Sequence, residues 1–240
     1  MKVEGRNAVR ELLKTDRDID KILVQNGLRD AESKKLIDII REYKIKIQFA
    51  DTFVLDKESQ SKKHQGFIAF VSEYSYVDVE DIIETVQKKG KDGFIVLLNE
   101  VLDPHNLGSI IRVCECAGVD GIIITKNRSA SVNDLVMRIS EGALNHVKIA
   151  RVVNINHTIE KLKEAGYWVM AVELGGDNIY ESDLTGNLAL VIGGEDSGVK
   201  RLTKEKCEKI LTIPMKGKVN SLNASVACGV AVFEALRQRN

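Results

Sequence analysis

Three segments of the chain combine side chains that could do chemistry with a turn that could hold them in place. The first, LNEVLDPHNLGSIIRVCECAG, puts Asn106 just before a predicted helix start near Leu107 and Arg112 inside that helix. Because a long helical side chain leans back toward the N-terminus, Arg112 could reach the loop that carries Asn106. An N-cap role for Asn106 and a solvated Arg112 are the ordinary alternatives.

The second segment, LALVIGGEDSGVK, runs from an apolar strand into Gly193, Gly194, Glu195 and Gly198. Glycines let a ligand approach the backbone closely. The spacing matches neither a dinucleotide fingerprint nor a phosphate-binding loop, so a nicotinamide or nucleoside triphosphate site is poorly supported. Taken alone, plain turn geometry is the better explanation of these glycines.

The third segment, IPMKGKVNSLNASVACGVAVFEALRQ, contains a strand ending at Pro214, a polar loop, and a helix of small and apolar residues from Asn223. Asn220, Ser221 and Asn223 offer caps and hydrogen-bond donors at the helix start. The small residues that follow permit close packing. A ligand-binding loop and a capped core helix explain this pattern equally well.

All three segments follow strand-like runs in the second part of the chain. The runs FIVLLNEV, GIIIT, VKIARVV, YWVMAVEL, LALVIGG and KILTIP alternate with helix-like stretches. This alternation predicts a parallel sheet covered on both faces. In such sheets ligands collect beyond the carboxyl ends of the strands, so the site is expected in the loops that open with LDPHNLGS and IPMKGKVNS. Both prolines of the chain, Pro104 and Pro214, fall in these loops, although strand termination alone would also explain them.

The first part of the chain predicts a small α/β unit over residues 1–75. Its patterns are a helix over residues 6–13, a strand IDKILVQ, an amphipathic helix over 31–43, and strands KIKIQFA and GFIAFVSEY. A charged stretch ending in glycine follows and predicts a linker over residues 76–92. The sheet described above then forms a second domain over residues 93–240.

Composition sets limits on the class of protein. A hydrophobic fraction of 44% with 29% charged residues is typical of a globular chain with a core. No apolar run reaches about 18 residues and the start lacks a secretory core, so we expect a cytoplasmic protein without a membrane partner. The four cysteines lack zinc-finger spacing, which predicts reduced thiols in apolar surroundings and no metal. The 35 basic and 35 acidic residues cancel, so any nucleic-acid binding must rest on local patches.

In this order, the three segments resemble the motifs of the SpoU/TrmH-type methyltransferases of the SPOUT superfamily. Motif one is matched by Asn106, Gly108, Arg112 and Gly118, and motif two by Gly193, Glu195 and Gly198. Motif three is matched by Ile213, Pro214, Met215, Gly217, Ser221, Leu222, Asn223, Ser225 and Val226. In the first domain, GRNAVRELL and KKHQGFIAFV are similar to the substrate-binding extension of this family.

The resemblance implies a fold, an activity and partners. The fold would be a C-terminal α/β knot domain, threaded into a trefoil knot, with a small N-terminal α/β domain of the L30e-like RNA-binding type. The activity would be transfer of a methyl group from S-adenosylmethionine to a ribose 2′-hydroxyl of RNA by a homodimer. The RlmB-like subgroup, which acts on a guanosine of 23S ribosomal RNA, fits best. The alternatives are a transfer-RNA 2′-O-methyltransferase and a catalytically inactive RNA-binding or ribosome-assembly factor; a dinucleotide-dependent oxidoreductase lacks its fingerprint.

The resemblance also implies roles for individual residues. S-adenosylmethionine would be held by Gly193, Gly194, Ile213, Met215 and Leu222, and catalysis would depend on Asn106, Arg112, Glu195, Ser221 and Asn223. Since arginine stays protonated, Arg112 is expected to hold an RNA phosphate rather than to act as a base. His105 is expected to be a bystander. Local basic residues predict the RNA contacts: Lys62, Lys63 and His64 in the first domain, and Lys126, Arg128 and Arg138 in the second.

Overall fold

The computed structural model describes residues 1–15, 17–59, 61–72, 74–194, 198–218 and 221–239. The chain divides into two compact units, Met1–Ser75 and Tyr76–Asn240. Among the helices of the described ranges, none has the length and apolar character needed to cross a bilayer.

The first unit is built on a four-stranded mixed sheet in the order β1-β4-β2-β3. Its strands are β1 (Lys2–Glu4), β2 (Ile19–Gln25), β3 (Ile47–Ala50) and β4 (Phe67–Val71), and its helices are α1 (Arg6–Leu12), α2 (Ala31–Glu42) and α3 (Thr52–Glu58). Strand β4 is antiparallel to both neighbours, and β2 is parallel to β3. Ile22, Leu36 and Phe67 are fully buried in its core, which the apolar positions of β2, α2 and β4 supply.

The second unit is built on a six-stranded sheet in the order β10-β8-β9-β5-β6-β7. Its strands are β5 (Phe94–Asn99), β6 (Gly121–Thr125), β7 (Lys148–Val152), β8 (Trp168–Asn178), β9 (Leu188–Gly193) and β10 (Lys209–Thr212). Every neighbouring pair is parallel, which confirms the predicted parallel sheet. All residues of β5 are buried, as expected of a central strand covered on both faces.

Six α-helices of the described ranges surround this sheet. They are α4 (Val79–Lys89), α5 (Pro104–Cys116), α6 (Asp134–Ile139), α7 (Ile155–Glu164), α8 (Arg201–Lys206) and α9 (Ala224–Arg239). Apolar residues of α4 and α7 join the core with β5, β6 and β9. Helix α5 packs against α6 and α9, and α9 also contacts β9. The loops that follow β5 and β10 therefore lead into two helices that touch each other.

The linker predicted over residues 76–92 is wrong, because most of this stretch is helix α4. Its apolar residues recur at helical spacing, and Val79, Ile82 and Val86 are buried. Asp81 accepts the backbone N–H of Asp78 at 3.0 Å and so fixes the helix start. The lysine-rich end that suggested a linker is the last turn of this helix, which Gly90 ends in a left-handed conformation.

The trefoil knot implied by the resemblance stays a prediction. Residues 195–197 of the second motif segment and residues 219–220 of the third lie outside the described residues. The segments on either side of these residues nevertheless lie together, and they form the site considered next.

Candidate active site

A cavity of about 310 Å³ opens where β9 and β10 end, beside the middle of β8. Its lining comes from three segments: Val172, Glu173 and Leu174; Ile192, Gly193, Gly194 and Gly198; and Ile213, Met215, Ser221, Leu222, Ala224 and Ala227. This is the carboxyl edge of the parallel sheet, where the sequence predicted a site. The five residues predicted to hold the cofactor all line this one cavity.

The glycines that follow β9 allow two stretches of backbone to meet at the cavity. A side chain on Gly193 would lie 2.2 Å from the carbonyl carbon of Gly198, and one on Gly194 would lie 2.1 Å from the carbonyl oxygen of Glu100. The backbone N–H of Gly194 donates to the carbonyl of Asn99 at 2.9 Å, which joins this turn to the end of β5. Plain turn geometry is therefore too weak an explanation, since the glycines are required by close backbone packing beside the cavity.

A hydrogen bond joins the first and third motifs beside this cavity. The Asn223 side-chain amide donates to Asn106 Oδ1 at 2.9 Å. The same residue caps α9, because its Oδ1 accepts the backbone N–H groups of Ser225 at 2.9 Å and Val226 at 3.4 Å. One asparagine thus starts the last helix and ties it to α5.

Helix α5 begins earlier than the sequence predicted. It starts at Pro104 rather than near Leu107, and Asp103 caps it by accepting the backbone N–H of His105 at 3.0 Å. Proline suits the first helical position because its missing N–H would have no helical partner there. Asn106 is accordingly a buried residue of the first turn and not the N-cap.

The earlier start carries Arg112 away from the loop that it was expected to reach. Arg112 lies six positions after Asn106 along the helix, a rise of about 9 Å. Arg112 has a 54% exposed side chain that lies 3.4 Å from Glu141 and does not line the cavity. The structure therefore brings Asn106, Ser221 and Asn223 to the site but leaves Arg112 outside it. Glu195, the remaining predicted catalytic residue, lies outside the described residues.

Sequence reasoning missed the contribution of β8. Val172, Glu173 and Leu174 form one wall of the cavity, and Glu173 accepts the backbone N–H of Val199 at 2.7 Å. An acidic residue inside the apolar run YWVMAVEL was the available signal, since a carboxylate in such a strand needs a partner.

The predicted RNA-binding residues of the second unit lie in exposed or half-buried positions. Lys126 follows the end of β6, and Arg138 is exposed on α6. The Arg128 guanidinium lies 3.9 Å from the Glu100 carboxylate, which also binds the Lys200 ammonium. Glu100 itself has a positive φ of 66°, an uncommon conformation for a residue other than glycine.

In the first unit, two of the three residues predicted to bind RNA are exposed, and the third is buried. Lys62 and Lys63 are exposed on the loop before β4. His64 is buried: Nδ1 accepts the Gly66 N–H at 3.0 Å, and Nε2 lies 3.1 Å from Asp56. Because both ring nitrogens are engaged, His64 shapes the loop and cannot grip a phosphate.

The cysteine side chains were predicted to lie in apolar surroundings, and the structure buries only some of them. Cys114 and Cys228 are buried with their sulfur atoms 3.9 Å apart, and burial raises the pKa of the Cys114 thiol well above its usual value. Cys116 is exposed, because it lies on the outer face of α5. Within the described ranges, no group of His, Cys, Asp or Glu side chains is placed to hold a metal ion.

Comparison with known proteins gives the family. Residues 93–233 match the model of the SpoU rRNA methylase family, and residues 2–77 match the model for RNA 2′-O ribose methyltransferase substrate binding. A Bacillus subtilis (strain 168) protein named as a TrmH family tRNA/rRNA methyltransferase, YacO, is 39% identical over 240 residues, which cover 99% of this chain and 96% of that protein. A similarly named Staphylococcus saprophyticus protein is 38% identical over 239 residues, with the same coverage of both chains.

Solved structures have the same fold. The SpoU methyltransferase AviRb from Streptomyces viridochromogenes, in complex with the cofactor AdoMet, superposes with a TM-score of 0.62 at 24% identity, covering 99% of this chain and 90% of that one. The A. aeolicus TrmH/SpoU tRNA modifying enzyme superposes with a TM-score of 0.56 at 30% identity, covering 66% of this chain and 83% of that one. With a SpoU-type catalytic unit after a substrate-binding unit, this chain belongs to the SpoU/TrmH family of RNA methyltransferases.

Proposed function

We propose that this chain transfers a methyl group from S-adenosylmethionine to a ribose 2′-hydroxyl of RNA. The observation that carries the proposal is the convergence of the motifs on one cavity: Gly193, Ile213 and Leu222 line it together with Ser221, and the Asn106–Asn223 pair lies beside it. AviRb, which has this fold, was crystallised with AdoMet.

The cavity has the chemistry that this cofactor needs. Ile192, Ile213 and Leu222 offer an apolar surface for an adenine ring, and the tightly packed glycine turn exposes backbone instead of side chains. Gly193, Gly194, Ile213, Met215 and Leu222 would hold S-adenosylmethionine. When bound, the cofactor supplies an electrophilic methyl group.

The residues of the chain supply positioning. Alignment of the attacking oxygen, the methyl carbon and the sulfur accounts for about 7–11 kcal/mol of barrier reduction in favourable cases. Asn223 is held by Asn106 and by the start of α9, so its position is fixed before substrate arrives. Ser221 lines the same cavity and would orient the RNA ribose by a hydrogen bond.

Arg112 would act from outside the cavity, on the RNA backbone. Its ion pair with Glu141 joins two side chains that are 54% and 66% exposed, so it contributes little free energy. An RNA phosphate, which guanidinium binds bidentately, can displace the Glu141 carboxylate. The phosphate held in this way could accept or relay the proton of the 2′-hydroxyl.

A guanosine of 23S ribosomal RNA is the substrate we favour. The support is the family model of the catalytic unit, which describes rRNA methylases, together with the substrate-binding unit. The names of the relatives mention both tRNA and rRNA, so a tRNA ribose is the second candidate.

Mass spectrometry of both RNA classes from a strain lacking this protein tests the choice between these two substrates. We expect one 2′-O-methylguanosine to be missing from 23S ribosomal RNA. A missing tRNA methyl group would select the second candidate, and persistence of every ribose methyl group would favour an assembly factor without activity.

We further propose that the active species is a homodimer. Helix α9 presents Val226 and Phe233, which are 50% and 48% exposed and lie seven residues apart on one face. Apolar residues in such a row are typical of a surface covered by another chain. Phe233→Asp should yield a monomer in analytical ultracentrifugation, whereas Leu202→Asp, at a 56% exposed leucine of α8, should stay dimeric. A monomeric wild-type chain would overturn this proposal.

A further inference from the structure

Glu173 is the charged residue of the cavity that the family motifs leave without a role. Among the described residues of the lining, its carboxylate is the single ionised group. It stands on β8 directly after Val172, whose pairing with Ile192 is the last between β8 and β9. The carboxylate therefore faces the turn that follows β9.

Hydrogen bonds from three segments fix the orientation of Glu173. Its Oε2 accepts the backbone N–H of Val199 at 2.7 Å, and its Oε1 accepts that of Leu174 at 3.1 Å. Its backbone carbonyl accepts the hydroxyl of Thr212, the last residue of β10, at 2.9 Å. A side chain on Gly198 would lie 2.1 Å from Oε2, so the glycine leaves room for the carboxylate.

This arrangement leaves hydrogen-bonding capacity on both oxygens. A carboxylate has about four lone-pair sites, and the two backbone donors occupy one on each oxygen. A fixed carboxylate of this kind is complementary to two neighbouring hydroxyl donors and repels phosphates and other carboxylates. In dinucleotide-binding folds, an acidic residue near a glycine-rich turn at the carboxyl edge of a parallel sheet accepts hydrogen bonds from a ribose hydroxyl.

We propose that the Glu173 carboxylate binds the ribose diol of S-adenosylmethionine and so selects a ribonucleoside cofactor. This inference rests on the proposed placement of the cofactor in this cavity. Glu173 would have two roles, because the same carboxylate holds the backbone of Val199 in place.

The test compares ligands that differ only in the diol. Isothermal titration calorimetry would measure the affinity of S-adenosylhomocysteine and of its 2′-deoxy and 3′-deoxy analogues. Because a hydrogen bond to a charged group is strong, the wild-type chain should bind an analogue that lacks a contacting hydroxyl roughly tenfold or more weakly than the parent compound. Glu173→Gln keeps one neutral acceptor oxygen, so the loss should shrink to about threefold or less. Glu84→Gln, at a 61% exposed glutamate of α4, removes the same charge elsewhere and should keep the full loss.

The outcomes separate this inference from the proposed function. If Glu173→Gln lowers the affinity for all three ligands by the same factor, Glu173 only holds the turn in place and the inference is wrong. Equal wild-type affinity for the parent compound and both analogues also overturns it, whether or not the variant folds. If the wild-type chain binds neither S-adenosylmethionine nor S-adenosylhomocysteine, the proposed function itself fails.

Discussion

At the scale of single residues, Asn223 links structure to the proposed chemistry. Its side-chain oxygen caps α9 while its amide group donates to Asn106. The cap uses the side-chain oxygen and the link to Asn106 uses the side-chain nitrogen, so substitutions can separate them. Sequence alone suggested a cap or a reaction-centre residue; the structure shows the cap and the link to Asn106, and the reaction-centre role stays a prediction.

Asn223→Asp should keep the cap and lose the link. Aspartate is as good an N-cap as asparagine but has no donor for Asn106 Oδ1. We expect a free energy of unfolding within about 0.5 kcal/mol of the wild-type value, with methyl transfer strongly reduced. Asn223→Ala should lose both functions and about 1 kcal/mol of stability. Urea unfolding and a methyl-transfer assay on both variants check this; full activity of Asn223→Asp would remove the amide link from the mechanism.

Glu234 makes the stability of α9 dependent on pH. The side chain is buried and accepts hydrogen bonds from Arg237 at 2.7 and 2.9 Å and from Gln238 at 2.8 Å. The hydrogen bonds from Arg237 and Gln238 lower the pKa of Glu234 from its ordinary value of 4.5 to about 2. Because the folded state holds the ionised form, this stabilisation is fully present above pH 4.5 and is lost as the pH falls through about 2.

Glu234→Gln should therefore reduce stability at pH 7, by about 1–3 kcal/mol if a hydrogen bond to a charged group is lost. The difference in the free energy of unfolding between the variant and the wild-type chain should become smaller as the pH is lowered from 4.5 to 2. Urea unfolding at several pH values measures both effects, with Glu84→Gln as an exposed control. A difference that stays constant down to pH 2 would mean that the charge of Glu234 contributes nothing.

At the scale of elements, the parts predicted well are those with strong periodicity. The predicted run IDKILVQ coincides with β2, and the helix predicted over residues 6–13 differs from α1 by one residue. The short β1 and α3 were missed, because β1 has three residues and α3 buries Leu55 alone, so neither carries an apolar repeat. The start of α5 was misplaced because Pro104 was assigned to a strand end, whereas proline also fits the first turn of a helix. Contacts such as that between Asn106 and Asn223 join residues far apart in sequence, so no local pattern predicts them.

Helix α4 offers a direct test of the corrected boundary. Ile82 is fully buried and lies against Gly121, where any side chain would come within 2.5 Å of Ile82. Ile82→Ala should lower the free energy of unfolding by about 2–5 kcal/mol, as expected for a buried isoleucine. Ile83→Ala, one position along at a half-buried residue, should cost less. If neither variant changes the free energy of unfolding measured in urea, residues 76–92 would be a linker after all.

At the scale of the whole molecule, the balanced charge of the chain leaves RNA binding to local patches. Lys62 and Lys63 lie exposed in the unit that matches the substrate-binding model. The Lys62→Ala/Lys63→Ala double variant should weaken RNA binding and reduce the slope of log affinity against log salt by roughly 1–2, since each phosphate contact contributes nearly one. The exposed Lys34 and Lys35 of α2 provide the matched control pair. A slope unchanged by the Lys62 and Lys63 substitutions would exclude these residues from the RNA contact.

Methyl transfer by the purified chain tests the central claim most directly. Ribosomal RNA and, separately, transfer RNA from a strain lacking the protein would be incubated with the chain and S-adenosylmethionine carrying a labelled methyl group, then digested to nucleosides for mass spectrometry. We predict label in one 2′-O-methylated nucleoside. Arg112→Ala should abolish the label while calorimetric binding of S-adenosylmethionine persists, because Arg112 lies outside the cavity. Label on a base, or no transfer to ribosomal or transfer RNA by a chain that binds the cofactor, would contradict the account.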